Sequence, residues 1–152
     1  MGIKVKVGDK APDFEGATSD GNALALKDFL RRKNVVLYFY PKDDTPGCTR
    51  EACSFRDNME VIRAMGAEVV GVSLDSAESH KKFSAKYRLP FPLVSDREKR
   101  IAKAYGVLKD SATSTDRVTF IIDKNGRIAE IFPKVDVTQH TEEVMAALKR
   151  IP

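Results

Sequence analysis

The segment that most constrains this chain is Val35-Val36-Leu37-Tyr38-Phe39-Tyr40, its longest apolar run. Successive residues of a strand face opposite sides of a sheet, so a run apolar at every position needs cover on both sides. Six residues are far too few to cross a bilayer, and Pro41 stops the run. It reads as a central strand with a layer packed on each face. A chain of 152 residues is expected to form a single domain over residues 1–152. At that size roughly two-thirds of the unfolded surface is buried, enough for a full core without disulfides.

The rest of the chain supplies the layers. Phe14 to Ala17 and Ala23-Leu24 flank Ser19-Asp20-Gly21-Asn22, a small N-terminal hairpin. Leu26, Phe29 and Leu30 are spaced for a short helix ending near Asn34. After the central strand comes a helix start, with Thr45 as N-cap, Pro46 in the first helical position and Gly66 past the end. Ala52, Phe55, Met59 and Ile62 recur between them at helical spacing. Glu68 to Leu74 reads as a strand, and Asp75 with Glu78 as a capping pattern for a helix through Tyr87. Leu93-Val94 is a short strand, and Asp96 caps a helix carrying Ile101, Ala102 and Tyr105. Val118 to Ile122 and Arg127 to Phe132 flank Asp123-Lys124-Asn125-Gly126, a strong hairpin signal. Val144, Leu148 and Ile151 give a last amphipathic helix. This order predicts an α/β protein, a three-layer α/β/α sandwich with a mixed central sheet. The link from Tyr40 to Pro46 then lies at the carboxyl edge of the sheet, where open α/β folds place their chemistry.

Charge excludes several partners. Lys plus Arg is 26 and Asp plus Glu is 22, a net charge of +4. The signs are interleaved, as in Asp96-Arg97-Glu98-Lys99-Arg100, which describes a solvated surface and not a nucleic-acid footprint. The N-terminus lacks the apolar stretch of a secretory signal, so no membrane association and a cytoplasmic location are expected. Two cysteines, Cys48 and Cys53, do not make a disulfide framework, and with His80 and His140 they match no usual zinc spacing. His80 falls in phase with Phe83 and Tyr87, as an edge-of-core histidine; His140 belongs to the first turn of the last helix.

The informative segment runs from Pro41 to Cys53. With Thr45 as N-cap, Cys48 is the third helical residue, its sulfur near the positive end of the helix dipole. A thiol in such a position has a depressed pKa and is a better nucleophile, although a free cysteine is more often a small buried hydrophobe. Gly47 removes a side chain where a small substrate could approach. Cys48 and Cys53 would lie about 140° apart around an ideal helix with ~7.5 Å of rise between them. That is beyond the roughly 7 Å Cα limit for a disulfide. The pair is therefore either two unrelated core cysteines or a switch that closes only when the first turns unwind.

Tyr38-Phe39-Tyr40-Pro41-Lys42-Asp43-Asp44-Thr45-Pro46-Gly47-Cys48-Thr49-Arg50-Glu51-Ala52-Cys53 closely resembles the active-site segment of the Q-type peroxiredoxins, the bacterioferritin comigratory proteins. The P-x-x-x-T-x-x-C element falls on Pro41, Thr45 and Cys48. The similarity continues through Ala11-Pro12-Asp13-Phe14, Phe55-Arg56-Asp57, Leu93-Val94-Ser95-Asp96 and Arg117 to Asp123. One departure is the segment from Val107 to Asp116, which is shorter than in many family members and carries no aromatic residue.

The resemblance implies a thioredoxin-like fold and thiol-dependent peroxide reduction with no metal, haem or flavin. It implies Cys48 as the attacking thiolate, Cys53 as the resolving cysteine of an intramolecular disulfide, and thioredoxin or a glutaredoxin-like dithiol as reductant. It assigns Arg117 to the thiolate and the developing charge, Thr45 to the peroxide, and Pro41 to shielding the sulfur. Glu51 is expected on a solvated helix face, and the assembly is expected to be a monomer or weak homodimer. Two other activities fit the fold class. A disulfide reductase would want a C-x-x-C pair, and a metal-binding chaperone would want a histidine beside the thiolates.

Overall fold

The computed structural model describes residues 2–151. One seven-stranded sheet runs through it, in the order β2-β1-β5-β4-β3-β6-β7. The apolar run from Val35 to Tyr40 forms β3 (Asn34–Phe39), buried at every position, with the equally buried Tyr40 one residue past its end. It pairs in parallel with β4 (Ala67–Ser73) and antiparallel with β6 (Val118–Ile122). On one side β4 continues to β5 (Leu93–Ser95), then β1 (Glu15–Thr18) and β2 (Ala23–Ala25); on the other, β6 forms a hairpin with β7 (Ile128–Phe132). The sheet is therefore mixed, with both expected hairpins at its edges.

The alternation of β3 splits the core in two. Val35, Leu37 and Phe39 join Ile101, Ala102 and Tyr105 of α4 (Arg100–Tyr105) on one face. Val36, Tyr38 and Tyr40 join the other cluster. There they pack with α1 (Pro46–Asp57), α2 (Met59–Ala64), α3 (Ala77–Tyr87) and α5 (His140–Lys149). This is the three-layer, thioredoxin-like arrangement, with more helix on the face that carries Cys48. The large Tyr38 ring fits because Gly71 lies opposite it in register, where a Cβ would come within 2.9 Å of the ring. No helix among the described residues is long and apolar enough to cross a membrane.

Several local expectations change. The helix after Pro41 breaks at Asn58 (φ −113°, ψ 7°), giving α1 and α2 in place of one helix to Gly66. The helix expected around Leu26 is a single 3-10 turn, Leu26–Phe29. Ser76, not Asp75, caps α3 by accepting from the Ser79 amide. Asp75 instead turns back, accepting from the Ser73 hydroxyl at 2.7 Å and the Asp43 amide at 2.8 Å. Asp96 does hold the start of α4, accepting from the amides of Ile101 and Ala102 at 3.2 and 2.8 Å.

Candidate active site

The site forms where β3 ends and α1 begins, at the carboxyl edge of the parallel strands. Tyr40 is buried, and its backbone carbonyl accepts from the Thr115 hydroxyl at 3.1 Å, tying the strand end to the 107–116 segment. Pro41 then lines a cleft of about 360 Å³ with Lys42, Leu74, Asp75, Thr113 and Ser114. The short segment thus supplies two hydroxyl residues, Thr113 and Ser114, to the cleft.

Thr45 is the backbone N-cap of α1, in extended conformation, but its side chain makes no capping bond. Its hydroxyl donates instead to the Lys42 carbonyl at 2.9 Å, closing the loop on itself. Pro46 occupies the first helical position and Cys48 the third, as the spacing predicts. Cys48 is only 1% exposed and packs with Ala52, Phe55 and Met59. Cys53 lies further along the same helix, half-buried and outside that cluster. Both thiols are free and α1 is unbroken between them.

Arg117, just before β6, reaches this turn. Its Nη2 donates to Cys48 Sγ at 3.3 Å and its Nη1 to Glu51 Oε1 at 2.8 Å. A planar guanidinium can serve both acceptors at once, which an ammonium could not do with the same fixed geometry. Burial works against its charge, but Glu51 and Cys48 outweigh that and raise its pKa. Gly47 is needed here for space: a Cβ on it would stand 3.1 Å from Arg117 Nη2.

Glu51 corrects the expectation of a solvated face. It is 1% exposed, and its Oε2 has no hydrogen-bond partner. Burial pushes its carboxyl up to about 7, against the pull of Arg117. Its position three residues after Cys48 and one before Ala52 put it on the inward face, the one sequence sign that could have found it.

The histidines also differ from expectation. His80 is not at the edge of the core but fully buried. Its Nε2 lies 3.0 Å from the Val94 carbonyl, which can only accept, and its Nδ1 lies 2.7 Å from Asp43 Oδ2. Asp43 further accepts from the hydroxyls of Tyr40 and Ser79 at 2.6 and 2.8 Å. The active-site loop is thus pinned from behind. His140 opens α5 as expected, buried against Phe55 and Phe132, with Nε2 2.7 Å from the Thr119 hydroxyl. Burial, with Arg117 adding to it, drives its pKa down to about 4, so it is neutral at physiological pH. Among the described residues, the one grouping of three metal-ligating side chains is Asp43, Asp75 and His80. It includes neither cysteine, and its members are engaged by the bonds just given.

With this geometry established, the relatives are informative. The AhpC/TSA family profile matches residues 7–131. The peroxiredoxin Bcp of Bacillus subtilis is 44% identical over 153 aligned residues, covering 97% of each chain. A peroxiredoxin Q variant from Xylella fastidiosa superposes with a TM-score of 0.92 at 36% identity, over 98% of both chains. The bacterioferritin comigratory protein of Xanthomonas campestris, described for its alkyl peroxide reduction activity, gives a TM-score of 0.87 at 34% identity over 98% of both. The chain belongs to the AhpC/TSA family, in its Bcp/peroxiredoxin Q branch.

Proposed function

We infer that this thiol-dependent peroxidase works through Cys48 and is resolved by Cys53, the whole chain acting as one domain. The observation that carries the reading is the Arg117 fork, which spans the Cys48 sulfur and a buried carboxylate at the N-terminus of α1. A cation and a helix N-terminus both favour a thiolate over a thiol. The Cys48 thiolate attacks one peroxide oxygen; an S–O bond forms, the O–O bond breaks, and the other oxygen leaves as alkoxide or hydroxide to be protonated. Arg117, already beside the sulfur, stabilises the charge that grows on the leaving oxygen. The Thr45 hydroxyl, donating to Lys42, keeps lone pairs free to accept from the peroxide O–H and align it. Pro41 keeps water from the sulfur.

The product is a sulfenic acid on Cys48. Cys53 reaches it after the first turns of α1 unwind, and the two sulfurs join with loss of water. A dithiol protein, thioredoxin or a glutaredoxin-like one, then exchanges with this disulfide and restores both thiols. Because both sulfurs are on one chain, a monomer or weak homodimer suffices, and the cytoplasm, with its thioredoxin, suits the cycle. Organic hydroperoxides join hydrogen peroxide as substrates, in line with the alkyl peroxide activity of the Xanthomonas campestris relative.

Stopped-flow peroxide consumption tests the assignment. Cys48→Ser is expected to abolish turnover. Cys53→Ser is expected to keep one fast oxidation and then stall, prone to sulfinic acid. Undiminished turnover in Cys48→Ser, or insulin disulfide reduction without peroxide, would contradict it.

A further inference from the structure

The two halves of α1 are fastened differently. The half from Pro46 to Cys53 is held by Arg117 at Cys48 and Glu51, has no side-chain cap, and buries a carboxylate oxygen without a partner. The half beyond Cys53 is fixed to three other elements. Ser54 Oγ lies 2.7 Å from Thr141 Oγ1 in the first turn of α5, and Thr141 is itself 4% exposed. Phe55 is fully buried among Tyr38, Phe91 and His140. Arg56 Nη1 donates 2.8 Å to the carbonyl of Tyr87, the last residue of α3. Asn58 Nδ2 donates to the Ser54 carbonyl at 2.8 Å.

When residues 46–53 unwind, the helical amides after Cys53 lose the carbonyls they bond four residues back. The fastenings from Ser54, Phe55, Arg56 and Asn58 do not depend on those carbonyls. We propose that Ser54, Thr141 and Arg56 form a stop that ends the unwinding immediately after Cys53. The proposal rests on the Cys48–Cys53 chemistry above. With the stop in place only the Cys48 end of the segment is free, and Cys53 stays next to a fixed residue. Its effective concentration at the sulfenic acid is then high. The Cys53 sulfur attacks the Cys48 sulfur, the S–S bond forms, the S–O bond breaks, and the departing hydroxide leaves as water with the Cys53 proton. Ser54, Thr141 and Arg56 are positioning residues, since none touches the reacting atoms.

The experiment compares the wild type, Ser54→Ala/Thr141→Val, the conservative Thr141→Ser, and Arg56→Gln in single turnovers with hydrogen peroxide. Cys48 oxidation and disulfide formation are followed separately, and the disulfide form is digested with trypsin. Arg50 lies in the segment that unwinds and Arg56 at the stop. The wild type and Thr141→Ser are expected to be cut after Arg50 and not after Arg56. The double variant is expected to be cut after both. It and Arg56→Gln should oxidise Cys48 at the wild-type rate but form the disulfide about fivefold more slowly or worse, with more sulfinic acid. Wild-type disulfide rates in the double variant and in Arg56→Gln, or cutting after Arg56 in the oxidised wild type, would overturn the stop. Failure of Cys48 to react at all would overturn the peroxidase reading and the stop with it, and is seen in a different phase of the trace.

Discussion

At the scale of single residues the proposed chemistry turns on Arg117, whose one side chain meets both the proposed nucleophile Cys48 and the buried Glu51. Arg117→Gln keeps most of the volume but loses the charge and the fork. It is expected to slow Cys48 oxidation by roughly 100- to 1000-fold, as loss of a preorganised donor at a developing charge does. Arg117→Lys should restore little of that, since a single ammonium cannot hold both acceptors. Rapid-mixing rates for the two variants within tenfold of wild type would contradict this. Glu51 adds a pH dependence. Its carboxyl is raised to about 7 in the intact helix and returns to ordinary carboxylate behaviour near 4.5 when α1 unwinds. The stabilisation it gives the wound helix is therefore full below about 4.5 and lost as pH rises through about 7. Disulfide formation, which needs the unwound helix, should accelerate by about tenfold or more across that window. Glu51→Gln should lack that rise; identical single-turnover pH profiles for the two proteins would exclude the effect.

The elements that matter are the loop before α1 and the helix it launches. The loop is held from below by a buried pair, Asp43 with His80, and by Asp75 bonding the Asp43 amide. Without His80, Asp43 keeps its bonds from the Tyr40 and Ser79 hydroxyls, so the loss is one buried hydrogen bond to a carboxylate plus the cavity left by the ring, about 3 kcal/mol. His80→Ala should therefore lower Tm by roughly 10 °C, and Asp43→Asn by a similar amount. The double variant should lose much less than their sum, because the two share one interaction. Additive losses in thermal melts would show that the pair is not a unit. The same helix explains why two cysteines five apart belong to different environments. Cys48 sits in the apolar cluster and Cys53 does not, so the proposed oxidation and resolution call for two conformations of one element.

The whole molecule is organised by the strand that the sequence displays most openly. β3 is apolar from Val35 to Phe39 because it divides two cores, and the turn residues of Ser19–Asn22 and Asp123–Gly126 place a hairpin beyond each side. Pro46 and the position of Cys48 made the start of α1 legible as well. What stayed hidden is what only tertiary packing decides. Glu51 reads as a surface charge until Arg117 arrives from 66 residues away. His80 reads as an edge residue until Asp43, 37 residues before it, reaches its ring. The break at Asn58 is invisible in a periodicity that continues through Met59 and Ile62.

Mass spectrometry of the intact protein before and after one equivalent of hydrogen peroxide addresses the central claim most directly. The account predicts loss of two hydrogens, mapped to a Cys48–Cys53 disulfide and reversed by reduced thioredoxin, and in Cys53→Ser the gain of an oxygen on Cys48 instead. Recovery of both thiols unchanged after peroxide, or an oxygen carried first on Cys53, would contradict it.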